Sequence, residues 1–120
     1  MRETNVENVE EFFLHTSRGL KKFLKSQILY VRQYGRDLEI ETESGAYIAK
    51  GKKITSLEEI EDKRFFRCHK YAIVNLSLIS RIANNEVIFD NGKKLSLGDK
   101  NYHKIINFLK LNYNYHTVIG

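Results

Sequence analysis

Residues 37–43 alternate without a break: Leu38, Ile40 and Thr42 fall on one side, and Asp37, Glu39, Glu41 and Glu43 on the other. A period of two sends successive side chains to opposite faces of an extended chain, so this stretch specifies a strand with an apolar face and an exposed acidic one. Four carboxylates in a row repel a phosphate backbone, which turns that face away from any nucleic acid. A strand needs partners, and short apolar runs broken by turn residues supply them. FFLHT and LKKFL flank Ser17, Arg18 and Gly19 as a hairpin, ILYV at 28–31 reads as a buried strand, and a further strand runs around Ala46 to Ala49 after Ser44 and Gly45. ISRIA, EVIFD and KKLSL read as an antiparallel meander. Its last two strands join at Asp90, Asn91 and Gly92, where Asn91 and Gly92 suit positive backbone angles.

Helical signals are fewer. In TSLEEIED, Ser56 as N-cap and Glu59 three residues later form a capping box, with Leu57 and Ile60 facing inward. Beyond Gly98 and Asp99, residues Tyr102, Ile105, Ile106 and Leu109 recur at helical spacing, with Lys100, Lys104 and Asn107 opposite them. The expected class is mainly β with short helices.

Burial must hold such a fold together. One cysteine, Cys68, excludes an internal disulfide, and His15, His69, His103 and His116 have no metal-ligand spacing. No stretch approaches the roughly 20 apolar residues of a membrane span, and the start lacks the charged-then-apolar layout of a signal peptide, so a cytoplasmic protein is expected. Residues 1–11 read as an acidic linker or disordered lead-in, 12–113 as one domain and 114–120 as a tail. Because the lead-in sets Glu3, Glu7, Glu10 and Glu11 against Arg2 alone, the body behind it is more basic than the whole-chain net charge of +5. That surplus favours a polyanionic partner. The chain lacks a phosphate-binding glycine loop, a metal cluster and a nucleophile motif, so neither an enzyme nor a cofactor is expected.

The segment FFRCHKYAIVNLSLISRI reads as irregular, being too polar at its centre for a strand and too dense in aromatics for a solvent loop. It resembles the signature of the LytTR family: phenylalanine, arginine, histidine, a short basic or hydroxyl stretch and an Ile-Val-Asn step. ILYVRQYGRDLEIET and TSLEEIED are similar to that family's strand, loop and strand and its short helix, and the resemblance covers residues 12–111 or so. It implies an elongated stack of small antiparallel sheets with short helices. It also implies a sequence-specific DNA-binding domain of a bacterial transcription regulator, usually the output domain of a two-component response regulator. Loops would enter successive grooves of double-stranded DNA, with two copies on paired direct repeats, a possible dimer on DNA and a receiver domain preceding it in the natural chain. The alternative is a protein-interaction module of the same fold that meets an acidic partner with its basic surface.

Candidate DNA contacts follow from this resemblance and from charge. In the first loop, read as residues 33–36, Arg36 is preferred and Tyr34 stays open within one residue of alignment. In the signature, Lys70 is a phosphate or guanine contact and otherwise a solvated charge, and His69 is a contact or a hydrogen-bonded loop anchor. Arg67 either snorkels over Phe65 and Phe66 or pairs with a phosphate. Asn75 is read as structural, tying down the local backbone. At the start of the last helix, where the family places a serine and an arginine, Gly98 and Asp99 stand instead. Asp99 is read there as the N-cap, which leaves Lys100, Asn101 and Lys104 to make the contact. Cys68 lies among Arg67, His69 and Lys70, a setting that lowers a thiol's pKa and permits redox sensing; the other reading is a buried small hydrophobe.

Overall fold

A computed structural model describes residues 10–57 and 60–113. Among these, the strands are β1 (Glu11–Thr16), β2 (Gly19–Leu24), β3 (Ile28–Tyr34), β4 (Asp37–Thr42), β5 (Gly45–Ala49), β6 (Phe65–His69), β7 (Ala72–Asn75), β8 (Ile79–Ala83), β9 (Glu86–Phe89) and β10 (Lys94–Ser96). One α-helix, α1 (Asp99–Asn112), and 3-10 turns at Lys25–Gln27, Ile54–Ser56 and Leu76–Leu78 complete them. The strands make three antiparallel sheets: the hairpin β1-β2, a central sheet in the order β5-β4-β3-β7-β6, and a meander in the order β10-β9-β8. They stack into a body of 55 × 34 × 24 Å, the elongated, mainly β arrangement expected; among the described residues α1 is the α-helix, and part of the expected TSLEEIED helix lies outside them.

The central sheet is covered on both faces, which explains its composition. On one side Ile28, Val31, Leu38, Ile40 and Ile73 pack against Phe12 and Phe23 of the β1-β2 hairpin and against Ile54, Leu57 and Ile60. On the other, Leu29, Tyr30, Ala72 and Val74 pack against Val87, Phe89, Leu95 and Ile105 of the meander and α1. Alternate residues of β7 therefore feed different cores. A strand buried on both faces reads as a continuous apolar run rather than an alternation.

Several local expectations are corrected. Leu38, Ile40 and Thr42 are buried as the alternation requires, but the acidic face of β4 is not an open stripe: Glu41 is only 4% exposed. Its carboxylate lies 3.8 Å from Lys93, in the connection between β9 and β10, and Glu39 is engaged by Arg32. Burial pushes the Glu41 carboxyl above its ordinary range, with Lys93 opposing the shift. The supposedly irregular signature is the hairpin β6-β7, with its register shifted by a bulge between Arg67 and His69. The extra residue breaks the period of two on β6, and β7 runs Ala72, Ile73 and Val74 without alternation because both faces are covered, ending at the buried Asn75.

Asn91 has no positive φ; its Oδ1 accepts from the Lys93 backbone N–H at 3.0 Å, and Gly92 alone supplies the left-handed angle there. The doubly left-handed pair is Asn84 and Asn85, at φ 53° and 61°, in the two-residue turn between β8 and β9. Ser56 ends a 3-10 turn and its hydroxyl donates to the Lys53 carbonyl; the rest of the expected capping box, at residues 58 and 59, lies outside the described residues. Leu57 and Ile60 do point inward.

A charge cluster that the sequence did not suggest ties the chain's entry to the core. Lys25 is fully buried, with Nζ 3.3 Å from Asp62 Oδ2, and Asp62 also accepts from the Arg64 backbone and guanidinium. Arg64 reaches on to Glu10, whose other carboxylate oxygen accepts from the Ser26 N–H. Burial works to raise the Asp62 carboxyl, but the Arg64 and Lys25 hydrogen bonds prevail and hold it below its usual value. Of the acidic lead-in, Glu10 and Glu11 are thus part of the folded body. The remainder of the lead-in and the 114–120 tail lie outside the described residues.

Candidate nucleic-acid interface

Two hairpin tips come together at one end of the central sheet because β3 pairs with both β4 and β7. The first tip is shorter than the expected loop: Gln33 and Tyr34 belong to β3, and only Gly35 and Arg36 form the turn. Gly35 takes φ 64°, which a side chain disfavours and which a two-residue hairpin needs at its first central position. The second tip is Lys70 and Tyr71, between β6 and β7. Arg36, Lys70, Tyr71 and Tyr34 are exposed.

The two tips share a concavity of about 590 Å³, lined by Gln33, Gly35 and Arg36 from the first, by Lys70 and Tyr71 from the second, and by Gly51, Lys53, Ile54 and Thr55 from the segment after β5. Gln33 organises it. Its Nε2 donates to the carbonyls of Asp37 at 2.9 Å and Lys52 at 3.1 Å, with a longer contact of 3.3 Å to Gly35. Its Oε1 accepts from the Ile54 N–H at 2.7 Å, and its own N–H donates to the Tyr71 carbonyl at 2.8 Å. One residue thus fixes three loops.

A second, smaller hollow of about 240 Å³ continues from Gln33 and Tyr71 through His69 to Ser96, Gly98 and Asn101 at the start of α1. The surface therefore joins Arg36, Lys70, His69 and Asn101 of the expected set. Tyr71 accompanies them although no sequence pattern marked it. The His69 ring accepts from the Tyr71 backbone N–H at Nδ1, 3.1 Å away, which anchors the turn and leaves Nε2–H as the outward donor. Of the two readings of His69, the hydrogen-bonded loop anchor is the one this geometry shows.

The remaining candidates divide. Arg67 does not lie over Phe65 and Phe66; its Nη1 donates to the Lys70 carbonyl at 3.0 Å, bracing the tip from the edge strand. It lines a separate hollow with residues 60–63. Lys104 is exposed, with Nζ 6.0 Å from the Phe66 ring, while Phe66 stacks on Phe108 of α1 at 4.4 Å. Lys100 is exposed and lines neither of the two hollows. Tyr34 carries the Arg32 guanidinium 5.5 Å from its ring.

Asp99 is not the helix N-cap. Gly98 occupies that position without a side-chain bond, and Asp99, the first helical residue, accepts from the Asn85 side-chain amide at the β8-β9 turn. The carboxylate still suits the positive end of the helix dipole. Asn75 is fully buried, donates to the Lys25 and Ile28 carbonyls, accepts from Ser77, and does not line the concavity. Cys68 is also fully buried, its Sγ 3.7 Å from the Ala72 carbonyl oxygen, and burial raises the thiol to about 11 despite nearby Lys104. Of the two readings of Cys68, the structure shows the buried small hydrophobe, because burial outweighs the basic neighbours that would lower the thiol.

The family model described as the LytTr DNA-binding domain matches residues 18–110. A solved structure described as the LytTr DNA-binding domain of a methyl-accepting/DNA response regulator from Bacillus cereus is similar to the chain, with a TM-score of 0.68 at 21% identity. The similarity covers 88% of this chain and 100% of that one, and at this identity it speaks to the fold. No curated protein matches. Among the described residues no helix is long and apolar enough to cross a membrane.

Proposed function

Since the chain belongs to the LytTR family of DNA-binding domains, we propose that it is the sequence-specific DNA-binding module of a cytoplasmic transcription regulator, the output domain of a two-component response regulator. In this reading Arg36 and Lys70 enter the grooves from adjacent hairpin tips, and His69 and Asn101 extend the contact toward α1. Two copies sit on paired direct repeats, and a receiver domain precedes this one in the natural chain.

One observation carries the reading: Arg36 and Lys70 line the same concavity, and neither has an ion pair among the described residues. Elsewhere Lys25, Arg32 and Arg64 are matched to carboxylates. Unmatched cations on opposed loop tips suit phosphates and guanine edges, with phosphates giving affinity and base edges giving sequence preference.

The test is titration of a labelled duplex from the protein's own upstream region. Saturable binding that resists non-specific competitor DNA and weakens steeply with salt is expected. Arg36→Ala and Lys70→Ala should each cost about 1–3 kcal/mol if each makes a good base contact. Binding abolished by stoichiometric competitor would favour an acidic protein partner for the same surface.

A further inference from the structure

The loop between β5 and the Ile54–Ser56 turn has the sequence KGKK, a concentration of cations in a segment with no recognised role. It is held against the first hairpin tip more firmly than a solvent loop requires. The Gly51 N–H donates to Asp37 Oδ1 at 3.0 Å, the Lys52 carbonyl accepts from Gln33 Nε2, and the Ile54 N–H donates to Gln33 Oε1. These bonds turn the peptide polarity of the loop inward and leave the Lys50 and Lys53 side chains exposed. Gly51, at φ 68°, permits the reversal.

The outcome is a third cation on the concavity already lined by Arg36 and Lys70. Lys53, like them, has no carboxylate partner among the described residues. Asp37, which lies beside this loop, already accepts from the Gly51 N–H. Three mutually repelling cations around one hollow, with their loops cross-braced by an amide whose oxygen and nitrogen are both bonded, form a preorganised anion site.

We infer that the residue 50–53 loop is an additional DNA-contacting element, in which Lys53 binds a backbone phosphate lodged between the two hairpin tips and Gln33 positions the loop. This rests on the DNA-binding reading above. Lys53 contributes charge at a fixed place and no base discrimination, whereas Gln33 makes no DNA contact and acts through the loops it joins.

The decisive experiment measures the affinity of the full chain for its duplex across a salt series. Lys53→Ala is expected to lower the slope of log K against log salt by about one unit and to weaken binding about tenfold near 0.1 M salt, to the same extent on specific and random sequence. Lys53→Arg should restore the slope. A duplex with a single methylphosphonate at the contacted position should bind wild type and Lys53→Ala equally. Gln33→Met should weaken binding with little change in slope, with circular dichroism confirming a folded chain. A slope unchanged in Lys53→Ala, while Arg36→Ala and Lys70→Ala both weaken binding, overturns the inference and leaves the DNA reading intact. Absence of duplex binding by the wild type overturns both.

Discussion

The side-chain amide of Asn75 donates to the backbone carbonyl of Ile28 at 2.9 Å, joining the end of β7 to the start of β3. The same nitrogen contacts the Lys25 carbonyl at 3.3 Å, while Oδ1 accepts from the Ser77 N–H at 3.0 Å and the Ser77 hydroxyl at 2.6 Å. Asn75 thereby caps the Leu76–Leu78 turn and satisfies the backbone where the chain leaves β2. Replacing it with alanine strands buried partners, so Asn75→Ala should destabilise the fold by about 3 kcal/mol. Urea unfolding would register this as a lower midpoint at an unchanged slope.

Acid should loosen the Lys25, Asp62 and Arg64 cluster. The folded Asp62 carboxyl is held below its unfolded value, so its contribution is complete above about pH 4 and disappears as pH falls through the lower folded value. Asp62→Asn should flatten the acid limb of the stability profile. It should also cost about 3 kcal/mol at neutral pH, since it leaves the buried Lys25 ammonium without its anion. An acid limb identical in the two proteins would refute the assignment.

Cys68 should be inert while the protein is folded. With the thiol raised to about 11 and no exposed surface, little thiolate forms at neutral pH and reagents cannot reach it. Labelling with an aromatic disulfide is expected to follow global unfolding, accelerating with urea. Rapid stoichiometric labelling in buffer would contradict the packing described.

Asp99→Arg replaces an anion with a cation in the sequence between Gly98 and Asn101, which both line the second hollow. On the DNA reading it should tighten duplex binding and steepen the salt slope by about one unit. Loss of the Asn85 contact should cost little, because Asp99 is exposed and Asn85 only half-buried. Weaker binding would mean that the start of α1 faces away from DNA.

What could be read from the sequence was whatever depended on local period. Leu38, Ile40 and Thr42 announced β4, and Ile105 and Leu109 announced the packed face of α1. What escaped depended on partners distant in the chain. Glu41 looks exposed by alternation, yet it is buried beside Lys93, from the distant connection between β9 and β10. The AIVN strand has no alternation because it divides its side chains between two cores, and the bulge beside Cys68 disguises β6. Arg36, Lys70, His69 and Asn101 were found through charge and resemblance, whereas Gln33 was passed over. A lone glutamine at a strand end carries no sequence signal, and its importance comes from loops as far away as Ile54 and Tyr71.

The division of β7 between two cores has a bearing on how this molecule tolerates change. Sliding that strand by one residue would send Ile73 into the core built for Val74, and the reverse, at every position together. Register there is locked, and an insertion or deletion cannot be absorbed. The hairpin tips are held by main-chain bonds, by Gln33 and, at the second tip, by the Arg67 and His69 side chains, so Arg36 and Lys70 can be rewritten without displacing the loops that carry them. A scaffold that cannot slip thus presents a surface that can vary.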